Sequence, residues 1–591
     1  MSRAAVELRG GVIGRAFSFS RPTVPVLPAA PKPAARMSPS YGSRPPQPVD
    51  APARRGHGPA RQRMGCSAMK RIGMRGAGRR AMLAAPLLAL AAPGLARAQI
   101  RRHELGALAL PVKQDDTVAP GTRRDVLLRW GDRVAFDAPA WDPRRPDPDG
   151  AAAQFGWDAR VAGIAVPQQQ AADGIPRAVL AVVHPTVNPA FAFPGGQDQP
   201  SAAASMQGAS LLNLEKQGPR WVVVDGGFQS RRLSAGTLCR VSGPAGQGSV
   251  RGVLGLAGGC VTPWGTLLLA EGDPAAWLAR LAPLDARFRD PAGFGWVVEL
   301  NPFDPQSLPV KRGALGRFAH GDVAAALTRD GRAVVYLTDR RPAGFLLRFV
   351  SAGPATAEDA LDAGTFSVAR IERDRCTWVR LPAGAPDPVA AAAQAGGSPL
   401  DGPAGLGLDP SRPRLLLACH GSPARPAGHV IELTADNNDD GADTARAALL
   451  FAAGDPRSAE AGYGRAGLPP GSAWPENPDT VTVDARGRAW IGTDRGGRVG
   501  PQAEGLYACD LDGPGRGVPL PIYGAPRAAS IGGAALTPDG EALFTAARHP
   551  GAEPGGSFER PSTRWPEFRA GLPPRSTLLG LQRAAGGPVG G

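Results

Sequence analysis

Short apolar runs that end at Gly, Pro, Asp or Asn recur along the chain. Such runs predict β-strands, because an amphipathic helix would show an apolar residue every three or four positions over a longer stretch. Helical periodicity is confined to residues 275–288 and 357–363, which we interpret as helical insertions between strands. Individual strands are predicted at 177–185, 220–227, 265–272, 295–302, 332–339 and 344–351.

Four later segments repeat one pattern: an apolar residue, a turn that contains Thr or Asp, and a strand. Their starts are 81, 75 and 53 residues apart, at 327–339, 408–420, 483–494 and 536–548. A degenerate repeat of this kind is typical of β-propeller blades, which are small sheets that bury their faces only when several close into a ring. The sequence therefore predicts an all-β chain that forms a single β-propeller of about six blades, with loop and short helical insertions.

Charge is distributed unevenly along the 591 residues. Residues 1–98 hold 17 of the 67 Lys and Arg but only two of the 52 acidic residues, so the remainder is formally neutral. A neutral body has no electrostatic footprint for nucleic acid, and we expect no nucleic-acid partner. Residues 1–68, rich in Pro, Arg, Gly and Ser, are predicted to be a disordered arm or an over-extended start.

A secretory signal is predicted at residues 69–98. A basic start is followed by an apolar stretch over 81–95 and by Ala96-Arg97-Ala98, the pattern of a cleavage site. Arg79-Arg80 resembles a twin-arginine (Tat) signal. We therefore expect a periplasmic or secreted protein whose propeller domain spans 99–591, with no transmembrane anchor after cleavage; an uncleaved N-terminal anchor is the alternative.

Ten motifs occur in the order found in PhoX-like alkaline phosphatases, and they cover nearly all of residues 125–550. The most specific is the block over 295–318, with GW, VVE, NPFDP, PVKR and LGRF in succession. The chain therefore resembles this family. The resemblance implies a six-bladed propeller, usually exported by the twin-arginine route, that uses iron and calcium at the mouth of the channel to hydrolyse phosphomonoesters.

The chain departs from the family pattern where the resemblance implies metal or phosphate ligands. A Cys is replaced by Leu256, a phosphate-gripping Arg by Gly402, and Glu residues by Pro185, Gly272, Gly321, Ala404 and a position near Ser530. A cluster of di- and trivalent cations needs many anionic ligands to offset the mutual repulsion of the metals. We therefore expect a degenerate metal site, at which calcium is the candidate ion and iron is not favoured.

The residues that remain supply the site candidates. The candidate metal ligands are Glu271, Asp273, Cys260, Asp322 and Asp479, and the candidate polar groups at the channel mouth are His184, His320 and His549. We expect Glu271 to point into the channel, because the Thr-Pro-Trp-Gly-Thr corner at 262–266 that precedes its strand is intact. For each candidate the alternative is a structural role, such as an acid that caps a blade corner or a buried histidine.

Three functions remain open from the sequence. The first is an exported PhoX-like propeller with weak or lost phosphomonoesterase activity, which binds an unknown small molecule for which a phosphorylated compound is the candidate. The second is an active calcium- and iron-dependent phosphatase with shifted ligands. The third is a calcium-dependent lactonase-type hydrolase, because the sequence segment 478–494 resembles the blades of lactonases.

Overall fold

The computed structural model describes residues 105–169, 172–246 and 248–591. The predicted arm at 1–68 and the predicted signal at 69–98 lie outside these residues. Within them, no helix is both long enough and apolar enough to cross a membrane.

The strands form six blades, each with at least four mainly antiparallel strands. The third and fourth blades pair at their outer edges and so form one nine-stranded sheet. Two strands precede the first blade in the sequence: β1 (Thr117–Val118), of two residues, and β2 (Thr122–Arg129), of eight. Blade 1 contains β3 (Arg160–Ala165), β4 (Arg177–His184), β5 (Gly208–Gln217), β6 (Arg220–Val223) and β7 (Arg231–Leu233). Blade 2 contains β8 (Leu238–Ser242), β9 (Gly248–Arg251), β10 (Leu256–Val261), β11 (Leu267–Glu271), β12 (Val297–Leu300) and β13 (Val310–Arg312).

The remaining blades follow in chain order. Blade 3 contains β14 (His320–Leu327), β15 (Arg332–Asp339), β16 (Leu346–Pro354), β17 (Gly364–Glu372) and β18 (Arg375–Arg380). Blade 4 contains β19 (Pro403–Leu408), β20 (Arg414–Cys419), β21 (His429–Ala435) and β22 (Thr444–Ala452). Blade 5 contains β23 (Pro478–Val483), β24 (Arg488–Thr493), β25 (Gly505–Asp510) and β26 (Pro519–Gly524), with β1 at its edge. Blade 6 contains β27 (Ser530–Leu536), β28 (Ala542–Arg548) and β29 (Thr577–Arg583), and β2 completes it.

The ring of blades is closed. Each inner strand lies beside the inner strand of the next blade, in the order β3, β10, β14, β19, β23, β27 and back to β3. The closure is completed by β2, which pairs antiparallel with β29 so that Thr122 lies opposite Arg583. The predicted single propeller of about six blades is confirmed. The four repeated segments each hold the turn between the first and second strands of a blade, in blades 3 to 6, followed by that second strand.

Packing on both faces explains why the strands read as continuous apolar runs. Along β11, Leu267 and Leu269 pack against blade 1, whereas Leu268 and Ala270 pack against blade 3. Successive side chains of a strand point to opposite faces of the sheet, so a strand held between two blades must be apolar at every position. Most of the core therefore lies between neighbouring blades.

In the part of the chain that the structure describes, five short α-helices lie between strands: α1 (Pro148–Ala153), α2 (Pro189–Ala192), α3 (Pro200–Met206), α4 (Ala275–Leu281) and α5 (Pro388–Gln394). The insertion predicted at 275–288 contains α4 and a 3₁₀ turn over Ala286–Arg289. The helix predicted at 357–363 is wrong: the segment forms turns between β16 and β17. Ala360 N donates to the carbonyl of Ala357 and Asp362 N donates to that of Asp359, so the hydrogen bonds of this segment close separate turns instead of a continuous helix.

Candidate functional site

At one end of the channel, the inner strands of the blades begin and the second strands end. Antiparallel pairing sets the first residue of each inner strand opposite, or nearly opposite, the last residue of the second strand of its blade. The pairs include Arg160 with Val183, Leu256 with Glu271, His320 with Asp339, Pro403 with Cys419 and Ser530 with Arg548. We call this end the channel mouth. It is the end at which the resemblance places the metals.

The guanidinium of Arg160 bridges two of the candidate ligands at the channel mouth. Its Nη2 lies 3.1 Å from Oδ2 of Asp322, and its Nη1 lies 3.3 Å from Oδ2 of Asp479. All three side chains are buried, so their charges are stabilised by one another instead of by water. Asp322 and Asp479, which are far apart in the chain, are therefore brought together by an arginine.

Asp479 lies between three guanidiniums. Besides Arg160, Arg340 donates to its Oδ1 at 2.9 Å, and Nη1 of Arg548 lies 4.0 Å from its Oδ2. Burial alone would raise the pKa of Asp479, but the three arginines outweigh burial and lower it. At Asp322, burial outweighs Arg160 and raises the pKa. Asp479 therefore stays ionised beside guanidiniums, two of which it shares with other aspartates.

Arg548, at the end of β28, binds two further carboxylates. Its Nε and Nη2 donate to the two oxygens of Asp158, both at 2.9 Å, and its Nη1 donates to Asp494 at 2.8 Å. Burial would raise the pKa of Asp158, but Arg548 outweighs burial and lowers it. We call the three arginines and four aspartates the mouth network: Arg160, Arg340, Arg548, Asp158, Asp322, Asp479 and Asp494. Each of its carboxylates has at least one guanidinium partner.

His549, one of the predicted histidines, lies beside this network. Its Nε2 is 3.2 Å from Oγ of Ser530, and its ring stacks on Trp157 with the centroids 6.2 Å apart. Trp157 immediately precedes Asp158 in the sequence. His549 therefore lies at the channel mouth, and its role there stays a prediction.

The structure places Glu271 differently from the expectation that it points into the channel. Its Oε1 accepts hydrogen bonds from Leu254 N and Lys311 Nζ, and its Oε2 accepts from Gly295 N and Trp296 N, all at 2.9 Å. The side chains of Glu271 and Lys311 are both 0 % exposed. Because Lys311 lies on β13, on the far side of the sheet from the inner strand, the carboxylate faces the outer part of its own blade.

His184 and His320 are enclosed by the protein. His184 contacts the carbonyl of Asp158 through Nδ1 and Ser210 Oγ through Nε2 at 2.8 Å. Nδ1 of His320 lies 3.1 Å from the carbonyl of Glu271. Burial lowers the pKa of both rings, that of His320 to about 4. Both are therefore neutral at pH 7 and hold backbone carbonyls in place.

The other two candidates lie apart from the network. Asp273 is exposed, and its Oδ1 accepts a hydrogen bond from Ala275 N at the start of α4 at 2.9 Å. Cys260 lines a cavity of about 350 Å³ at the opposite half of the channel, where small apolar residues of all six inner strands form the wall. Burial raises the pKa of the Cys260 thiol, which is therefore protonated at neutral pH.

Comparison with known proteins identifies the lineage. The sequence model of the alkaline phosphatase PhoX matches residues 104–403 and 410–551. The chain belongs to the PhoX alkaline phosphatase family.

Among solved structures, Pseudomonas fluorescens PhoX in complex with vanadate, a transition state analogue, matches with a TM-score of 0.73 and 25% identity, covering 83% of this chain and 99% of that chain. A putative 6-phosphogluconolactonase from Bacteroides uniformis has a TM-score of 0.28 at 13% identity, with 65% and 76% covered. Trypanosoma rangeli sialidase has a TM-score of 0.34 at 9% identity, with 79% and 59% covered. A search of curated proteins found no match.

Gly272 and Gly321, where the resemblance to the family implies glutamates, are closely packed in the structure. A Cβ added at Gly321 would lie 2.8 Å from Thr338 Oγ1, and one added at Gly272 would lie 3.2 Å from the carbonyl of Gly255. Contacts this short force the neighbours to move. The backbone at Gly272 and Gly321 is therefore fitted to residues without a side chain.

The donor set does not fit a polynuclear metal centre. In the part of the chain that the structure describes, no three His, Cys, Asp or Glu side chains converge as a metal site would require. The carboxylates that do approach each other share guanidiniums, and a metal ion would have to displace these cations while leaving them buried. The five candidate ligands occupy four separate places: the mouth network, the inside of blade 2, the start of α4 and, for Cys260, the deeper part of the channel.

Sequence reasoning missed the arginines of the mouth network. All of them were visible at strand ends: Arg160 starts β3, Arg340 follows β15 and Arg548 ends β28. A cation at the end of a strand whose other residues are apolar was a usable signal, because a buried charge needs a partner. Which carboxylate each arginine meets depends on how the blades come together around the channel.

Proposed function

We propose that this protein is an exported PhoX-family propeller in which internal ion pairs occupy the phosphatase site, so that phosphomonoesterase activity is weak or lost. The observation that carries the proposal is the mouth network, in which each of four aspartates is paired with at least one of three arginines. In place of catalysis, the protein binds a small molecule, and membership of a phosphatase family suggests that this molecule is phosphorylated.

The chemistry of phosphoryl transfer supports this reading. The reaction depends on positioned cations that stabilise charge on the transferred group. The arginines of the mouth network already bind aspartates, and Gly402 stands where the resemblance implies the arginine that grips phosphate. Removing a single charge-stabilising donor costs about 10²–10³ in rate, and this chain lacks several.

An active enzyme with shifted ligands is the competing hypothesis. It requires Cys260, Glu271, Asp273, Asp322 and Asp479 to converge on metal ions. Only Asp322 and Asp479 lie together, and Arg160 sits between them. The lactonase hypothesis has no support beyond the similarity of the phrase over 478–494.

Metal content and hydrolysis of 4-nitrophenyl phosphate test the proposal. The chain is to be produced with its own leader, purified, and assayed before and after loading with Ca²⁺ and iron. We expect neither tightly bound iron nor turnover approaching the usual enzymatic level of about 1–10³ per second. Such turnover, abolished by Asp322→Asn or Asp479→Asn but not by Asp273→Asn, would refute the proposal. One bound calcium with hydrolysis of a lactone would support the third hypothesis.

A further inference from the structure

We propose that a cleft between blades 2 and 3 binds a small aromatic anion. The cleft has a volume of about 560 Å³. It lies outside the channel, where the segment after β13 faces the start of β17 and the loop that follows β18. It shares no residue with the mouth network. Its volume falls within the range of 300–1,000 Å³ that is usual for small-molecule sites.

Aromatic side chains form the apolar part of the cleft. Trp296, Phe349 and Phe366 line it, and the loop over 381–386 adds apolar and proline residues. The indole N–H of Trp296 donates to the carbonyl of Ala292 at 2.9 Å, which fixes the half-buried ring. Leu381 N donates to the carbonyl of Phe366 at 2.8 Å and ties the loop to the sheet. A flat apolar ligand would therefore pack against rings that are held in place, on a wall with few polar groups that need a hydrogen-bond partner.

Two arginines give the cleft its charge. Arg317 and Arg380 line it and are exposed, and neither side chain has an ion-pair or hydrogen-bond partner within residues 105–169, 172–246 and 248–591. The nearby acids are already engaged. Asp362 accepts from Arg312 at 2.9 Å and from Ser242 at 2.6 Å, and Asp387 caps α5 by accepting from Val389 N and Ala390 N, both at 3.0 Å.

The two free guanidiniums contrast with those of the channel mouth. A guanidinium binds carboxylate, sulfate or phosphate groups through a planar pair of N–H donors and also stacks on aromatic rings. Two of them beside an aromatic wall favour a ligand that joins a flat ring to an anionic group. A neutral ring would leave both charges unused, and a bare anion would leave the rings unused.

The test uses 8-anilinonaphthalene-1-sulfonate, with the neutral N-phenyl-1-naphthylamine as the matched probe and inorganic phosphate as a competitor. Fluorescence titration of the purified chain gives the dissociation constants. We expect the anionic probe to bind at one site, and Arg317→Gln/Arg380→Gln to weaken it by about ten-fold or more, because a charge-assisted hydrogen bond is lost. The neutral probe should bind more weakly and be insensitive to that change.

Two variants control the location of the probe. Arg289→Gln removes an exposed arginine outside the cleft and should leave binding of the anionic probe unchanged. Trp296→Leu keeps both arginines but removes the largest ring, and it should also weaken binding. Thermal melting of each variant checks that it is folded. Binding that is equal for both probes, or that survives Arg317→Gln/Arg380→Gln, would overturn the proposal; phosphate binding alone, without the ring, would also contradict it.

Discussion

At the scale of single residues, the arginines determine how the aspartates at the channel mouth are paired. Its guanidinium presents several N–H donors in one plane, so Arg160 and Arg548 can each bind two carboxylates at once. A lysine ammonium is a compact point charge and lacks that fixed fork. The sites with arginine therefore hold paired aspartates, whereas Lys311 holds the single carboxylate of Glu271.

Glu271→Gln should lower stability without affecting any phosphatase activity. The substitution leaves the Lys311 ammonium buried without a counterion, which costs about 3–5 kcal/mol. Denaturant unfolding monitored by circular dichroism measures the change. Asp273→Asn, two residues away and exposed, is the matched control and should shift stability by less than about 0.5 kcal/mol. Unchanged stability with a loss of hydrolysis would instead make Glu271 a metal ligand.

Glu504 should make stability depend on pH. It is buried beside Thr493 and Arg495, and burial raises its pKa to about 7 despite the arginine. The folded state therefore holds the proton more tightly than the unfolded state, whose pKa is about 4.3. The stabilisation from this proton is complete below the unfolded pKa and is lost as the pH rises through about 7.

Glu504→Gln keeps the shape of the side chain and removes the titration. The difference in unfolding free energy between the wild type and this variant should therefore change by up to about 3 kcal/mol between pH 4 and pH 8, in favour of the wild type at low pH. Urea unfolding at several pH values measures this difference. A constant difference would show that Glu504 keeps an ordinary pKa.

At the scale of elements, the inner strand β10 makes room at the channel mouth because it has a glycine, Gly258, beside Asp322. Its register shifts between Leu256 and Gly258, and a Cβ at Gly258 would lie 2.1 Å from Oδ1 of Asp322. The same aspartate accepts hydrogen bonds from Val323 N at 3.0 Å and Leu406 N at 3.1 Å. The glycine leaves room for an aspartate that three inner strands hold.

Gly258→Ala should therefore displace Asp322 from Arg160 and destabilise the protein by about 1–3 kcal/mol. Gly353 offers the matched control, because it also lies within a strand but a Cβ there meets nothing within 4 Å. Thermal unfolding compares Gly258→Ala with Gly353→Ala. Equal melting temperatures for the two variants would contradict the packing described here.

The strands could be predicted because the pattern that indicates each strand lies within a few neighbouring residues. The site could not be predicted, because its residues come from distant parts of the chain. A strand buried on both faces is apolar at every position, and the prediction at 332–339 coincides with β15. The missed helices were also signalled locally, since α1, α2 and α5 each begin with Pro after an Asp or Asn cap. By contrast, Asp322 and Asp479 meet only through Arg160, a contact between three blades.

At the scale of the whole molecule, the propeller depends on strands from distant parts of the chain. Blade 6 takes its outer strand, β2, from the start of the described residues, and blade 5 takes β1. Both face apolar cores that include Leu128, Val126 and Ala119. Closing a ring through such a distant pair is slow, because the entropy of a long loop is lost before the contacts form.

Two truncations should separate the predicted leader from the propeller. A chain that starts at Gln99 keeps every described strand and should melt at the same temperature as the exported protein. A chain that starts at Trp130 lacks β1 and β2, exposes the edge of β29 and should aggregate. Size-exclusion chromatography and circular dichroism measure both. N-terminal sequencing of exported protein should give a start near Gln99; a start before Met69 would contradict the predicted signal.

The register of the closing pair also determines how the molecule responds to force. Thr122 lies opposite Arg583 at one end of the pair, and Arg129 lies opposite Thr577 at the other. A pull applied to residues 122 and 583 therefore acts on the same end of the two strands and breaks their hydrogen bonds one after another, like a zipper. A pull applied to residues 129 and 583 would load the same bonds together, in shear. One fold is thus mechanically weak in the first direction and strong in the second.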